Sequence, residues 1–137
     1  MTQTYLAFDF GLKRVGVACG NSLLRQASPL RTIAAEGDAR FVQIKKLVDE
    51  WRPDALVVGV PFHPDGAEHE ITLRARRFAR QLQGRFHLKV HEVDERYSSV
   101  EAERDDPDDL DSAAAAIILQ QFFNETPSST PPLEGDA

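Results

Sequence analysis

The sequence predicts an α/β fold, a mixed five-stranded sheet with helices on both faces and the element order βββαβαβα. Three observations lead to this prediction. The chain opens with short apolar runs separated by a turn, a pattern typical of an antiparallel meander. Helix-like and strand-like segments then alternate, as in parallel strands joined by helical crossovers. One of these segments, residues 55–60, is continuously apolar and therefore favours a central strand covered on both faces.

The first three strands and the first helix follow directly from this pattern. Residues 5–9 are apolar and aromatic and end in a carboxylate, and residues 15–19 form a second β-type run. A third run near residues 30–33 completes the meander. The apolar spacing then becomes helical, and we expect Asp38 to cap this helix and Pro53 to end it.

The remaining elements come after the central strand. The second helix is expected to bury four side chains, those of Leu73, Phe78, Leu82 and Phe86. Gly84 should let the chain leave this helix. Residues 87–95 are predicted to form the fifth strand and residues 111–123 the last helix, with Ser98 and Ser99 as N-cap candidates for a short helix between them.

Composition and charge narrow the class of protein. The length of 137 residues suits one domain, and shares of 42% hydrophobic and 28% charged residues exclude a disordered chain. We expect the domain to span residues 1–123 and a disordered tail, rich in Pro, Ser, Thr and Gly, to span residues 124–137. The net charge of −6 argues against a generic basic coat protein for nucleic acids but leaves room for a local basic surface.

The expected compartment follows from cysteine use and hydropathy. Cys19 is the only cysteine, so it cannot form an internal disulfide, and a reducing compartment suits it. The start of the sequence has neither the basic nor the long apolar region of a signal peptide, and no apolar run is long enough to cross a bilayer. We therefore expect a cytoplasmic protein without membrane contact.

Acidic residues stand where two of the predicted strands end. Asp9 closes the first strand before a glycine-containing turn that carries Arg14, and this combination suits a metal ion and a phosphate held together, although turn capping is the ordinary role of such an aspartate. Asp94 and Glu95 end the fifth strand at the same carboxyl edge. Because side chains alternate along a strand, only one of the two can face the site. We prefer Glu95, with Asp94 as the alternative.

Asp111 is the third candidate acid. It opens the predicted last helix, where an N-cap is the ordinary role of aspartate. Helical spacing also puts it on one apolar face with Ala115, Ile118 and Phe122, and the packing of that face would carry Asp111 to the edge of the sheet. Three converging carboxylates repel one another unless divalent cations neutralise them, and hard oxygen ligands favour Mg²⁺ or Mn²⁺.

Basic residues concentrate in the second predicted helix. Its arginines are Arg74, Arg76, Arg77, Arg80 and Arg85. A solvated helix face is the ordinary explanation, and contact with a phosphate backbone is the functional one. The candidate substrate contacts are Lys13, Arg14, Arg74, Arg77 and Arg96.

These pieces together resemble the YqgF family, also called RuvX, whose members are described as Holliday junction resolvases and as the nuclease that matures the 5′ end of pre-16S rRNA. The resemblance covers residues 5–123. It rests on four ordered blocks: residues 8–18 (FDFGLKRVGVA), residues 58–61 (VGVP) with Asp65 and Gly66, residues 94–96 (DER) with Ser98, Ser99, Glu101 and Ala102, and residues 111–115 (DSAAA).

The resemblance implies an RNase H-like fold and hydrolysis of phosphodiester bonds with Mg²⁺ or Mn²⁺ at three acids, Asp9, Glu95 and Asp111, with Asp94 as the alternative to Glu95. It implies precursor rRNA or branched DNA as substrate, the small ribosomal subunit as a candidate partner, and a monomer or weak homodimer. The chain departs from the family pattern at residues 104–110, which are short and acidic where members commonly carry a longer, basic stretch.

Two other functional classes compete with this reading. The turn after Asp9 also resembles the phosphate hairpin of the actin and Hsp70 ATPases, but those proteins close two domains around a nucleotide and this chain suits only one. A non-catalytic module that binds nucleic acid or the ribosome would keep the fold and lose the chemistry. A nuclease assay with and without Mn²⁺ separates that module from an enzyme.

Overall fold

The computed structural model describes residues 2–61, 70–94 and 107–125. Its elements are β1 (Thr4–Phe10), β2 (Val15–Asn21), β3 (Ala27–Ile33), α1 (Gly37–Trp51), β4 (Ala55–Val60), α2 (Glu70–Phe86), β5 (Lys89–Asp94) and α3 (Pro107–Glu125). This order confirms the predicted βββαβαβα pattern. No helix within the described ranges combines the length and apolar character that a membrane span requires.

The five strands form one mixed sheet in the order β3-β2-β1-β4-β5. β1 pairs antiparallel with β2 and parallel with β4, while β2–β3 is antiparallel and β4–β5 parallel. The meander therefore builds one half of the sheet and the helical crossovers build the other. β1 lies at the centre, and all six residues of β4 are buried, as the apolar run predicts.

Side-chain alternation divides the core into two layers. On one face, strand residues such as Leu6 and Phe8 pack with α1 and α2 in a cluster that includes Ile44, Phe78 and Leu82. On the other face, Tyr5, Ala7 and Val57 pack against α3 through Ile118, Leu119, Phe122 and Phe123. Two helices thus cover one face, and α3 covers the other, which confirms helices on both faces.

The carboxyl-terminal half of α3 is fastened to the turn between β2 and β3. The Gln120 amide donates to the Arg25 carbonyl at 3.1 Å and accepts from the Ala27 N–H at 3.2 Å. The Arg25 guanidinium donates to the carbonyl of Phe123 and lies over its ring. The Phe123 carbonyl, in the last turn of α3 where helix carbonyls lack partners within the helix, thereby gains a hydrogen-bond donor.

The start of α1 corrects one expectation. Asp38 does not cap this helix: the N-cap is Glu36, which makes no side-chain capping bond, and Asp38 lies in the first turn. Gly37 enters the helix with φ of +60°, a conformation that suits glycine. The Asp38 carboxylate instead lies 3.4 Å from Nη2 of Arg85.

The prediction for α2 is also wrong at two positions. The helix passes through Gly84 and ends at Phe86, because His87, with φ of +56°, supplies the left-handed residue and donates its N–H to the Gln83 carbonyl. Leu73 is 56% exposed. The small residues Thr72, Ala75 and Ala79 join Phe78 and Leu82 on the buried face.

α3 begins at Pro107, so Asp111 lies in its second turn and is not an N-cap. Proline is favoured in a first helical turn because its fixed φ suits the helix and its missing N–H has no partner to lose there. The helix continues to Glu125, two residues past its predicted end. The N-cap candidates Ser98 and Ser99, and residues 126–137 of the predicted tail, lie outside the described residues.

His91 introduces a titratable group into the layer between the sheet and α3. Its ring lies 4.9 Å from the Phe122 ring and 6.5 Å from the Tyr5 ring, measured between centroids. Burial lowers the pKa of His91, and the positive charge of Lys89 lowers it further. The folded state therefore takes up a proton at this imidazole less readily than the unfolded chain does.

We expect the free energy of unfolding to decrease as the pH falls below about 6.5, the ordinary pKa of histidine, because the unfolded chain then binds more protons than the folded one. The stabilising contribution of neutral His91 is complete above that pH and is lost as the pH falls through the lowered pKa. Urea unfolding between about pH 7 and 5 measures this slope. His91→Gln should flatten it, whereas His87→Gln, at an exposed position, should not.

Candidate active site

Asp9 lies at the carboxyl end of the central strand. Alternation puts its side chain on the α3 face of the sheet, in series with Tyr5 and Ala7. Its neighbours in register are both glycines, Gly16 on β2 and Gly59 on β4. The carboxylate is half-buried and stands between positions without side chains.

Gly16 brings α3 into contact with the sheet beside this acid. A Cβ at Gly16 would lie 1.9 Å from the Asp111 carbonyl oxygen and 2.9 Å from the Ser112 nitrogen. The helix backbone therefore rests directly on the strand, and Asp111 reaches the position next to Asp9. The predicted apolar face of α3 is confirmed, since Ala115 is fully buried and Ile118 and Phe122 are buried with it.

The structure pairs Arg14 with one of the acids. Its Nε donates to Oδ2 of Asp111 at 2.9 Å, and the two side chains are 45% and 23% exposed. A guanidinium thus stands beside the Asp111 carboxylate and offsets part of its negative charge. Lys13, the preceding residue, is exposed in the same turn.

The turn that carries these two cations is tightly built. A Cβ at Gly11 would lie 2.6 Å from the Arg14 carbonyl oxygen, so a side chain at that position would clash with backbone. The buried side chain of Arg40, on α1, donates to the Leu12 carbonyl at 3.0 Å and to the Ala35 carbonyl at 2.8 Å. The turn is therefore held against the start of α1.

Sequence reasoning missed the role of Arg40. Burial lowers the pKa of its guanidinium, an energetic cost that the two carbonyl acceptors help to offset. The sequence spacing does indicate that Arg40 is buried: it stands four residues before Ile44 and seven before Leu47, on the apolar stripe of α1. A charged residue in that stripe needs buried partners.

Asp94 lies on the other face of the sheet from Asp9. Along β5, His91 and Val93 point toward α3, whereas Val90 packs in the opposite layer and Glu92 lies 3.6 Å from Arg76 of α2. Alternation assigns Asp94 to the series of Val90 and Glu92. Its carbonyl accepts a hydrogen bond of 2.9 Å from the Gln121 amide of α3.

The structure thus pairs Arg14 with Asp111, places the Asp111 backbone against Gly16, the register partner of Asp9, and puts Asp94 on the other face of the sheet. Glu95 and Arg96 lie outside the described residues. Within the parts of the chain that are described, no group of three His, Cys, Asp or Glu side chains is arranged to hold a metal ion. Asp9 and Asp111, the acid pair, offer carboxylate oxygens from two neighbouring elements, a donor set that fits a hard divalent cation.

A groove with a volume of about 230 Å³ lies between the first turn of α1 and α2, and Phe10, the residue after Asp9, also lines it. Four arginines line it: Arg40, Arg74, Arg77 and Arg85. Arg74 pairs with Glu70 at 2.9 Å, and the Arg85 guanidinium lies 4.1 Å from the centre of the Phe41 ring. The groove therefore combines positive charge with aromatic surface on the face of the sheet opposite to the acid pair.

A family model described as RuvX, Holliday junction resolvase, matches residues 3–125. The chain belongs to the RuvX family. It is 70% identical over 121 residues to a relative from Albidiferax ferrireducens. The match covers 88% of this chain and 78% of that protein. A relative from Polaromonas sp. is 62% identical over 125 residues, with 91% of each chain covered. Both RuvX relatives are named as candidate pre-16S rRNA nucleases.

The fold of this RuvX chain is similar to that of the solved RuvC from T. thermophilus in complex with a Holliday junction substrate. The TM-score is 0.53 at 15% sequence identity, and the match covers 88% of this chain and 93% of that one. This likeness confirms the RNase H-like fold class. The predicted family and fold are both correct.

We expect Gly16→Ala to lower the free energy of unfolding by at least about 2 kcal/mol, because the added methyl group meets helix backbone, which cannot rotate away. Gly84→Ala is the matched control: its Cβ meets nothing within 4 Å, and the substitution within α2 should stabilise the protein by about 0.5–1 kcal/mol. Urea unfolding of both variants tests the pair. Equal effects would show that α3 does not rest on Gly16.

Proposed function

We propose that the protein is a metal-dependent endonuclease that hydrolyses phosphodiester bonds of nucleic acid and matures the 5′ end of pre-16S rRNA. The observation that carries this proposal is the contact of the Asp111 backbone with Gly16, the register partner of Asp9 at the carboxyl edge of the sheet. Membership of the RuvX family and the names of the two relatives support the nuclease activity and the rRNA substrate.

Asp9 and Asp111 would hold a divalent cation, Mg²⁺ or Mn²⁺, through their carboxylate oxygens. Such an ion, when bound, activates water as a nucleophile and stabilises the charge on the phosphate oxygens. The contribution of the chain is to fix two acids from distant segments in one place. Lys13, exposed beside the acid pair, would bind a substrate phosphate through its ammonium group.

We assign the third acid to Glu95. The alternation along β5 supports this choice, because Asp94 belongs to the series that faces α2, on the opposite side of the sheet from Asp9. Arg96, in the same motif, is proposed as a substrate contact.

The groove between α1 and α2 is proposed as the path of the substrate backbone. Arg74 and Arg77 line it together with Phe10, which follows Asp9 in the chain and faces the opposite side of the sheet. Phosphate contacts of this kind give affinity without base specificity. They also explain how a chain with a net charge of −6 can bind a polyanion.

Holliday junction resolution is the second candidate function. The description of the family model and the likeness to the fold of RuvC favour it. The same acids would cleave RNA or DNA. The small ribosomal subunit is the partner expected for the rRNA activity. Cleavage of a pre-16S rRNA fragment that carries its 5′ extension, compared with cleavage of a four-way DNA junction, distinguishes the two functions.

We expect Asp9→Asn to abolish cleavage while leaving the fold intact, because asparagine keeps the shape of aspartate and loses the charge that binds the metal. Glu95→Gln should be nearly as severe, and Asp94→Asn should retain most of the activity. Initial cleavage rates with Mn²⁺ and with EDTA, on samples checked by thermal melting, test this ranking.

The opposite ranking of the last two variants would transfer the metal ligand to Asp94. Wild-type activity in folded Asp9→Asn would contradict the proposed site altogether. Nucleic-acid binding without any cleavage in the presence of Mn²⁺ would instead indicate a non-catalytic binding module.

Replacement of Arg74 and Arg77 together with alanine should weaken binding to RNA and DNA alike. Each lost phosphate contact reduces the log–log salt slope by about 0.7–0.9, so we expect a decrease of about 1.4–1.8. Fluorescence anisotropy at several salt concentrations measures it. The control is Lys45→Ala with Lys46→Ala, which removes two exposed cations from α1, and an equal decrease there would show that only the overall charge matters.

A further inference from the structure

Arg14 is the cation that the structure places on the acid pair. The bond from its Nε to Oδ2 of Asp111 joins the β1–β2 turn to α3 across 97 positions of sequence. Both side chains keep contact with solvent, at 45% and 23% exposure, so burial does not lock the pair. The bond can therefore exchange with other ligands of the carboxylate.

The position of this pair creates a conflict with metal binding. The Asp111 oxygen that accepts from Arg14 belongs to the carboxylate that would bind the divalent cation. A guanidinium and a metal ion both use the lone pairs of carboxylate oxygens, and two cations close to one carboxylate also repel each other. Occupation by one is expected to weaken occupation by the other.

We infer that Arg14 is a built-in counter-ion that a divalent cation displaces from Asp111, and that the displaced guanidinium then binds a phosphate of the nucleic acid. The inference rests on the proposed function, because it takes Asp111 as a metal ligand. It makes metal and substrate binding cooperative: the metal frees Arg14, and a bound phosphate keeps Arg14 away from Asp111.

A purely structural role for Arg14 predicts different behaviour. Exposed ion pairs contribute little to stability, and a tether between the turn and α3 would change the melting temperature without improving the affinity for metal. Metal affinity therefore separates the two roles without any measurement of cleavage.

The first experiment titrates Mn²⁺ into the full-length protein and follows free Mn²⁺ by electron paramagnetic resonance. We expect Arg14→Gln to bind Mn²⁺ about twofold to fivefold tighter than wild type, which is the scale of one exposed ion pair. The control Arg31→Gln removes the same charge from an exposed position on β3. An unchanged or weaker affinity in Arg14→Gln, or an equal gain in Arg31→Gln, would overturn the inference.

The second experiment measures binding to a single-stranded RNA oligonucleotide at several salt concentrations, with EDTA or with Ca²⁺ as the metal. We expect wild type and Arg14→Gln to have the same log–log slope in EDTA, and Arg14→Gln to have a slope smaller by about 0.7 in Ca²⁺. The same difference in both conditions would overturn the proposed release of Arg14.

The outcomes also separate this inference from the proposed function. Wild-type protein that binds Mn²⁺ with an affinity independent of residue 14 overturns the counter-ion role and leaves the metal site standing. Wild-type protein that binds no Mn²⁺ overturns both. If Arg14→Gln fails to fold, Arg14→Lys takes its place, because lysine keeps the charge but lacks the Nε donor, and it should show part of the gain in affinity.

Discussion

The close contact between α3 and Gly16 is the constraint on which the arrangement of the acids depends. The backbone of a helix is normally kept away from the backbone of a sheet by the side chains between them. At Gly16 the strand β2 has no side chain, and the helix backbone at Asp111 contacts the strand directly. Asp9 is the partner of Gly16 in the antiparallel register, so the same contact fixes the helix and places Asp111 beside the strand end that carries Asp9.

Charge is distributed differently on the two sides of the sheet. The acid pair lies on the face that α3 covers, whereas the arginine-lined groove lies on the face of α1 and α2. Each feature includes a residue from the end of β1: Asp9 belongs to the acid pair, and Phe10 lines the groove. These two residues point to opposite faces of the sheet. A nucleic acid that uses both features would cross this edge of the sheet.

The element order could be predicted from sequence, because burial on one or both faces leaves a periodic apolar pattern that does not depend on the rest of the molecule. Helix boundaries were harder to predict from sequence: α3 begins four residues before Asp111, and His87 ends α2 in place of Gly84. A shared metal site of Asp9 and Asp111 stays a prediction, and the structure places the Asp111 backbone against Gly16, the register partner of Asp9. The contact at Gly16 and the buried bonds of Arg40 could not be predicted, since they depend on how distant segments approach each other in space.

The place of Asp111 in the chain has a consequence for biosynthesis. The strands that carry Asp9 and Gly16 are made first, and the helix that supplies the second acid is the last described element. Among the described elements α3 alone covers its face of the sheet, so these elements leave that face open until α3 has left the ribosome. The acid pair therefore assembles only after α3 has been made, and a nascent chain that still lacks α3 does not carry it.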